Sequence, residues 1–195
     1  MRMYLLKIPF LVLIGGILWP NNAMSSEIDL AAGAPVALEH WQTMLGDWST
    51  TAESLSQDGA GWKSTNNADW HFYLAMDGWA IRDEYFSPPL SEQLSDPDKR
   101  SIGTNLRIYD QDKQQWLMVW MTKSGKSVDV YAAKSDSEQI VMLAKQKNPQ
   151  GYFSRITFFD MQQDSFEWKM EWSADGDKNW LEVHRIHGSR KNSQD

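Results

Sequence analysis

Four arginines, Arg82, Arg107, Arg155 and Arg185, stand inside stretches whose apolar residues alternate as in a β-strand. Glu84 follows Arg82, Tyr109 follows Arg107 and Thr157 follows Arg155, each two positions on and so on the same face of a strand. An arginine turned into an apolar interior can meet a carboxylate with its planar fork and stays charged there. The same residue turned outward is an ordinary solvated side chain. Period alone leaves that choice open where both faces carry apolar residues, as in Trp116 to Met121.

Other polar groups carry weaker signals. His184 and His187 are three apart in a strand-like run, so they point to opposite faces and cannot share one ion; His40 and His71 lie far away in sequence. Ser124-Gly125-Lys126-Ser127 imitates the end of a phosphate-binding loop, but Trp120 stands where that motif needs its first glycine. Asp83 with Glu84, or Glu167 with Glu171, could be written into acid–base chemistry; acids beside Lys169 are more simply a wet strand face. Ser173 to Trp180 resembles the Asp-box of sialidase propellers, with Asp177 in place of its glycine, and reads physically as a hairpin in which Asp175 accepts turn amides. With no nucleophile elbow, metal-ligand cluster or glycine-rich cofactor loop, the sequence points to no catalytic residue, metal or cofactor.

The elements that would position these groups are nearly all strands. Leu38, Trp41, Met44 and Leu45 suggest one short amphipathic helix between Pro35 and Leu45, ending at Gly46. Thereafter the period is two, most clearly where Phe166, Trp168, Met170 and Trp172 alternate with Glu167, Lys169, Glu171 and Ser173. Further strands are expected over 47–54, 69–74, 79–86, 104–110, 115–122, 127–134, 139–145, 152–160 and 180–187, about ten in all. Asp77-Gly78, Ser124-Gly125, Asn148 to Gly151 and Asp175-Gly176 supply the tight turns between them. A meander of that kind removes both its edges by closing, so the expected fold is all-β, an antiparallel up-and-down barrel of about ten strands with a short N-terminal helix. The long connection from Ser87 to Ser101, with Pro88, Pro89 and Pro97, reads either as a mobile loop over one barrel mouth or as a plain surface insertion.

The helix running into Leu45-Gly46-Asp47-Trp48 resembles the entry to a lipocalin or calycin barrel, where a Gly-x-Trp opens the first strand. Gly103 to Asp110, Trp116 to Trp120, and Phe166 to Gly176 followed by Trp180 resemble bacterial calycin-like domains of unknown function. The likeness spans roughly Leu38 to Arg190 and implies a fold; it carries no activity. In fatty-acid-binding barrels of this kind an interior arginine meets a carboxylate. In the nitrobindins, whose ten-stranded calycin barrel the chain is similar to, a single histidine holds haem iron.

Composition bounds the rest. Arg2 and Lys7 precede the apolar run Ile8 to Trp19, which is followed by Pro20 and the small residues Ala23 to Ser25, the order of a secretory signal peptide. The run is shorter than the roughly 17 to 25 residues of a permanent span, so residues 1–25 are expected to be cleaved and the protein to be periplasmic or secreted without a membrane anchor. Residues 26–34 would form a flexible N-terminal segment, 35–190 the calycin-like domain and 191–195 a disordered tail. The 195-residue chain has no cysteine, which excludes a disulfide framework, and its net charge of −7 argues against nucleic acid as a partner. Eleven tryptophans suit an aromatic cavity as well as a β core. The expected function is binding of a small lipophilic or amphiphilic molecule, acidic in one version, by Trp48, Trp70, Arg82, Glu84, Arg107, Tyr109, Trp120, Arg155, Trp168 and Trp172. An interaction module without a ligand, a haem protein and an enzyme using the same cavity remain open, as does the oligomeric state.

Overall fold

Leu38, Trp41 and Met44 are fully buried at strict three-residue spacing, and the segment Val36–Met44 is accordingly a 3₁₀ helix, whose three residues per turn put that set on one line. Pro35 precedes it with fixed extended geometry, and Gly46 ends it at φ 115°, where a side chain would also strike the Arg190 guanidinium. A computed structural model describes residues 30–126 and 128–191. The export signal expected in residues 1–25, the start of the segment expected to be flexible and the tail 192–195 lie outside the described residues. Leu30 and Ala34 pack against the core, and the Lys191 amide donates to the Asp47 carbonyl.

Eleven strands follow: β1 Gly46–Leu55, β2 Trp62–Ser64, β3 Ala68–Ala75, β4 Ala80–Ser87, β5 Ser101–Asp110, β6 Gln115–Thr122, β7 Val128–Ser135, β8 Gln139–Ala144, β9 Phe153–Phe159, β10 Ser165–Ser173 and β11 Leu181–Arg190. From β3 to β11 every strand pairs antiparallel with its sequence neighbour, β1 pairs with β3, and β11 returns to β1 from Trp48↔Arg190 to Ser54↔His184. The result is a closed ten-stranded antiparallel barrel, as the alternation and turn spacing lead one to expect. The three-residue β2, which no periodicity announces, pairs only with the far end of β1. Turn chemistry is as the sequence suggests. Met76, Asp77 and Gly78 all take positive φ between β3 and β4, and Asp175 accepts from the amides of Asp177 and Lys178 and from the Ser173 hydroxyl. Those donors hold the Asp175 carboxyl down to a pKa of about 2.

The 3₁₀ helix closes one end of the barrel. Trp41 projects from it among Phe72, Trp116 and Phe158, with ring centroids 5.6–6.3 Å apart, and Trp48 ties the helix to β1 by donating from its indole to the Met44 carbonyl at 2.8 Å. The long connection between β4 and β5 is held by bonds of its own and by one to β3. Arg100 donates to the carbonyls of Pro88, Pro89 and Glu92, the Leu90 amide donates to Asp69 at 2.8 Å, and none of the connection lines the cavity described below.

Candidate functional site

On β4, Ile81, Asp83 and Tyr85 face inward; on β5, Gly103, Asn105, Arg107 and Tyr109 do. Two adjacent strands therefore place an acid, an amide and a guanidinium side by side inside the barrel. Asp83 is fully buried and accepts from the Trp70 indole at 2.8 Å, from the Asn105 amide at 3.0 and 3.2 Å, and from Nη1 of Arg107. Arg107 is 1 % exposed and its guanidinium carbon lies over the Trp41 ring, 4.4 Å from the centroid, so the helix that plugs the barrel also forms the back of this site. Burial lowers the guanidinium pKa, and the Asp83 charge and hydrogen bond offset only part of that fall.

The pairing leaves one edge of Arg107 unused. Its Nε and Nη2, and Oδ1 of Asn105, are buried and meet no partner among the described residues. Elsewhere in the molecule the corresponding edge of Arg155 shows what it can hold: Nε and Nη2 each donate to Glu171 at 2.8 Å, a two-point grip on one carboxylate.

Next to Arg107 is a cavity of about 250 Å³ with predominantly apolar walls, among them Trp70, Met118, Trp120, Met142, Phe158 and Trp168. Asn105 and Arg107 stand at its floor; Tyr85, Asp129, Tyr131 and His184 add polar groups higher up. The Tyr131 hydroxyl is pushed up to about 12 by burial and by Asp129, and burial lowers the pKa of His184, whose Nδ1 is 2.7 Å from the Ser54 hydroxyl. Both are therefore neutral hydrogen-bonding groups near pH 7. His184 faces inward and His187 outward, the latter beside Glu167 at 2.7 Å, as their odd spacing requires. Among the described residues no group of three or more acids and histidines is placed to hold a metal, and no helix is long and apolar enough to cross a membrane.

Of the residues expected at the site, Trp70, Arg107, Trp120 and Trp168 line the cavity. Trp48 and Tyr109 point inward but belong to the plugged end, Trp48 beneath Arg190 at 4.1 Å and Tyr109 edge-on to Trp116 at 5.2 Å. Trp172 is only half-buried and stacks on Tyr152 at 5.7 Å, beyond a register irregularity between Met170 and Glu171. Three positions need correction. Arg82 and Glu84 pair with each other at 2.7 Å on the outer face, and Arg155 pairs with Glu171 there, under Trp180 at 4.5 Å. The reason is parity, because Asp83 occupies the inward phase between Ile81 and Tyr85 and so replaces Glu84 as the partner of Arg107. Asp83, Tyr85, Asn105, Asp129, Tyr131 and His184 are the polar groups at the site that sequence reasoning did not place there. Asp83 had a signal, since Arg82 and Glu84 mark a wet face and leave it on the dry one.

Fold and site together define a closed ten-stranded antiparallel barrel, plugged by a helix at one end, with an apolar cavity and a buried arginine–aspartate pair at its floor. Among solved structures the chain is similar to the S-type phycobiliprotein lyase CPES from Guillardia theta, with 12% identity and a TM-score of 0.53 over 81% of this chain and 94% of that one. At that identity the likeness is one of fold. No family model and no curated protein matches the chain.

Proposed function

We propose that this is an exported protein that binds a small amphiphilic acid in the barrel cavity, with the acid's carboxylate on the free edge of Arg107 and its apolar body against Met118, Met142, Trp168 and Trp70. The observation that carries this reading is the pair of buried, unpartnered N–H groups on a charged arginine at the floor of an apolar cavity. Each buried donor without an acceptor costs about 1–3 kcal/mol, so a ligand that supplies two acceptors is favoured there over one that supplies none. Asp83 keeps its other donors, so the ligand adds to the network instead of displacing it. Met118 and Met142 are unbranched and can move aside to admit the headgroup.

Size narrows the class. A volume of about 250 Å³ lies near the small end of ligand cavities. A medium-chain or aryl carboxylic acid suits a space of that size. The resemblance in fold to a lyase lends support only to a barrel that accommodates another molecule.

Titration of tryptophan fluorescence with decanoate, and with decanol as the uncharged control, tests the proposal. Decanoate should bind saturably and at least tenfold more tightly than decanol, and the Asp83→Asn, Arg107→Gln double variant should lose that preference. Equal binding of acid and alcohol by the parent protein, or an unchanged preference in the variant, refutes the arginine anchor.

A further inference from the structure

Two strands of the barrel turn a charge inward and apolar residues outward, against the usual polarity of a β wall. In β5 Arg107 points in between Leu106 and Ile108; in β7 Asp129 lines the cavity between Val128, which is 58 % exposed, and Val130. The two charges are opposite in sign and border the same space. Arg107 is paired with Asp83, whereas the Asp129 carboxylate has neither an ion pair nor a hydrogen bond among the described residues.

The strand ladder holds these charges apart. Arg107 is level with Met118 and Tyr131, and Asp129 lies one inward step along β7, level with Trp120 and Asn105. That step leads away from the plug, since the other end of β7 is Ser135, whose hydroxyl is 2.8 Å from His40 of the helix. Two strands across and two residues along put the two α-carbons roughly 11 Å apart. The Arg107 side chain leans the opposite way, onto Asp83 and Trp41. Beside Asp129, the Trp120 ring lies in the space that Gly103 leaves, and Tyr85 stands across from Gly103 on β4. An unpaired acid next to an aromatic ring favours a cation.

We propose that Asp129 receives an ammonium group at the far end of the ligand, so that the molecule held along the barrel is an amino-carboxylate zwitterion with an apolar middle. Its carboxylate half rests on the Arg107 anchor proposed above. Charge balance favours this class over a simple acid. Arg107 and Asp83 cancel, and Tyr85, Tyr131 and His184 are neutral near pH 7, so the cavity walls carry the negative charge of Asp129. A plain carboxylate adds a second negative charge to those walls, and an ammonium beside Asp129 removes the surplus. Met118, on the strand between the two charges, faces the apolar middle.

Isothermal titration calorimetry with octanol, octanoate, octylammonium and 8-aminooctanoate separates the two ends of the site. The parent should bind octylammonium about tenfold or more tightly than octanol, and 8-aminooctanoate by a similar factor more tightly than octanoate. Asp129→Asn, which keeps the shape of the side chain, should abolish both gains while leaving the urea midpoint near the parent's. Asp129→Lys should reverse the choice, so that octanedioate binds better than 8-aminooctanoate. A parent that binds octylammonium no better than octanol, or an Asp129→Asn variant that keeps the preference, overturns the inference whatever octanoate does. Octanoate bound no better than octanol refutes the Arg107 anchor instead, and the zwitterion falls with it even where octylammonium still depends on Asp129.

Discussion

Asp83 and Arg107 are both almost wholly buried, and such a pair is asymmetric in its energetics: removing one partner strands the other charge, whereas removing both charges can be nearly neutral. Arg107→Ala should therefore destabilise the barrel by about 3–5 kcal/mol, while Asp83→Asn with Arg107→Gln should lose clearly less than the sum of the single changes. Urea denaturation of the four proteins in that cycle measures it; additive losses would mean that the two side chains do not act as a unit. His184 gives a pH prediction. Burial holds its folded pKa below the ordinary value of about 6.5, so as pH falls through that value the unfolded chain takes up a proton that the folded chain refuses. Its contribution to stability is thus complete above about pH 7 and declines toward pH 5.5. The parent's urea midpoint should fall more steeply over that interval than that of His184→Gln, and parallel curves would contradict the assignment. Arg107 was recognisable in the sequence as an arginine within a strand. Its partner was harder to see, because Asp83 and Glu84 are adjacent and only the phase of β4, which Arg82 and Glu84 mark as wet, distinguishes them.

The strands themselves were legible wherever one face was dry, as in β10, and the ten of the barrel lie where period and turn residues put them. What period two could not supply was the inward phase of β5 and β6. There the apolar outer residues Leu106, Ile108, Leu117 and Val119 make both faces look like core. A different signal was available in the glycines. A Cβ at Gly188 would lie 2.1 Å from the Phe166 ring, and one at Gly103 would lie 2.0 Å from the Trp120 ring, so both strands are thinned to let an inward aromatic lie across them. Phe166 in turn meets Trp48 edge-on at 4.9 Å. Gly188→Ala should push Phe166 out of that packing and cost about 1–3 kcal/mol, the usual penalty of an overfilled core. Gly103→Ala should act chiefly on the cavity, by moving Trp120, and weaken decanoate binding more than it lowers the melting temperature. If Gly188→Ala melts with the parent, the close approach of Phe166 is not structural.

Closure makes a barrel out of the meander, and it depends on the last strand returning to the first. Arg190, the final residue of β11, stands opposite Trp48 at the start of β1 and lies over its indole at 4.1 Å. Its guanidinium donates to the carbonyls of Leu45 at 2.7 Å and Thr43 at 2.6 Å, the last residues before the barrel begins. One side chain thus joins helix, first strand and last strand, at the end of the barrel where Trp41 supports Arg107. Gly46 is needed there because a side chain would collide with that guanidinium. Arg190→Ala should remove charge-assisted bonds to the carbonyls of Thr43 and Leu45 in the plug and of Gln163 before β10, a loss of at least about 1.5–3 kcal/mol. Arg190→Lys should recover only part of it, since a single ammonium can neither reach all of these carbonyls in one plane nor cover the indole as a flat guanidinium does. Because the plug backs the cavity floor, the same change should weaken decanoate binding even at temperatures where the barrel is fully folded. Amide hydrogen exchange distinguishes this from general softening: protection should fall in residues 43–48 and 184–190, the closing seam, and persist in β5–β8. Uniform loss of protection across all ten strands would show instead that Arg190 stabilises the barrel as a whole and does not act as its latch.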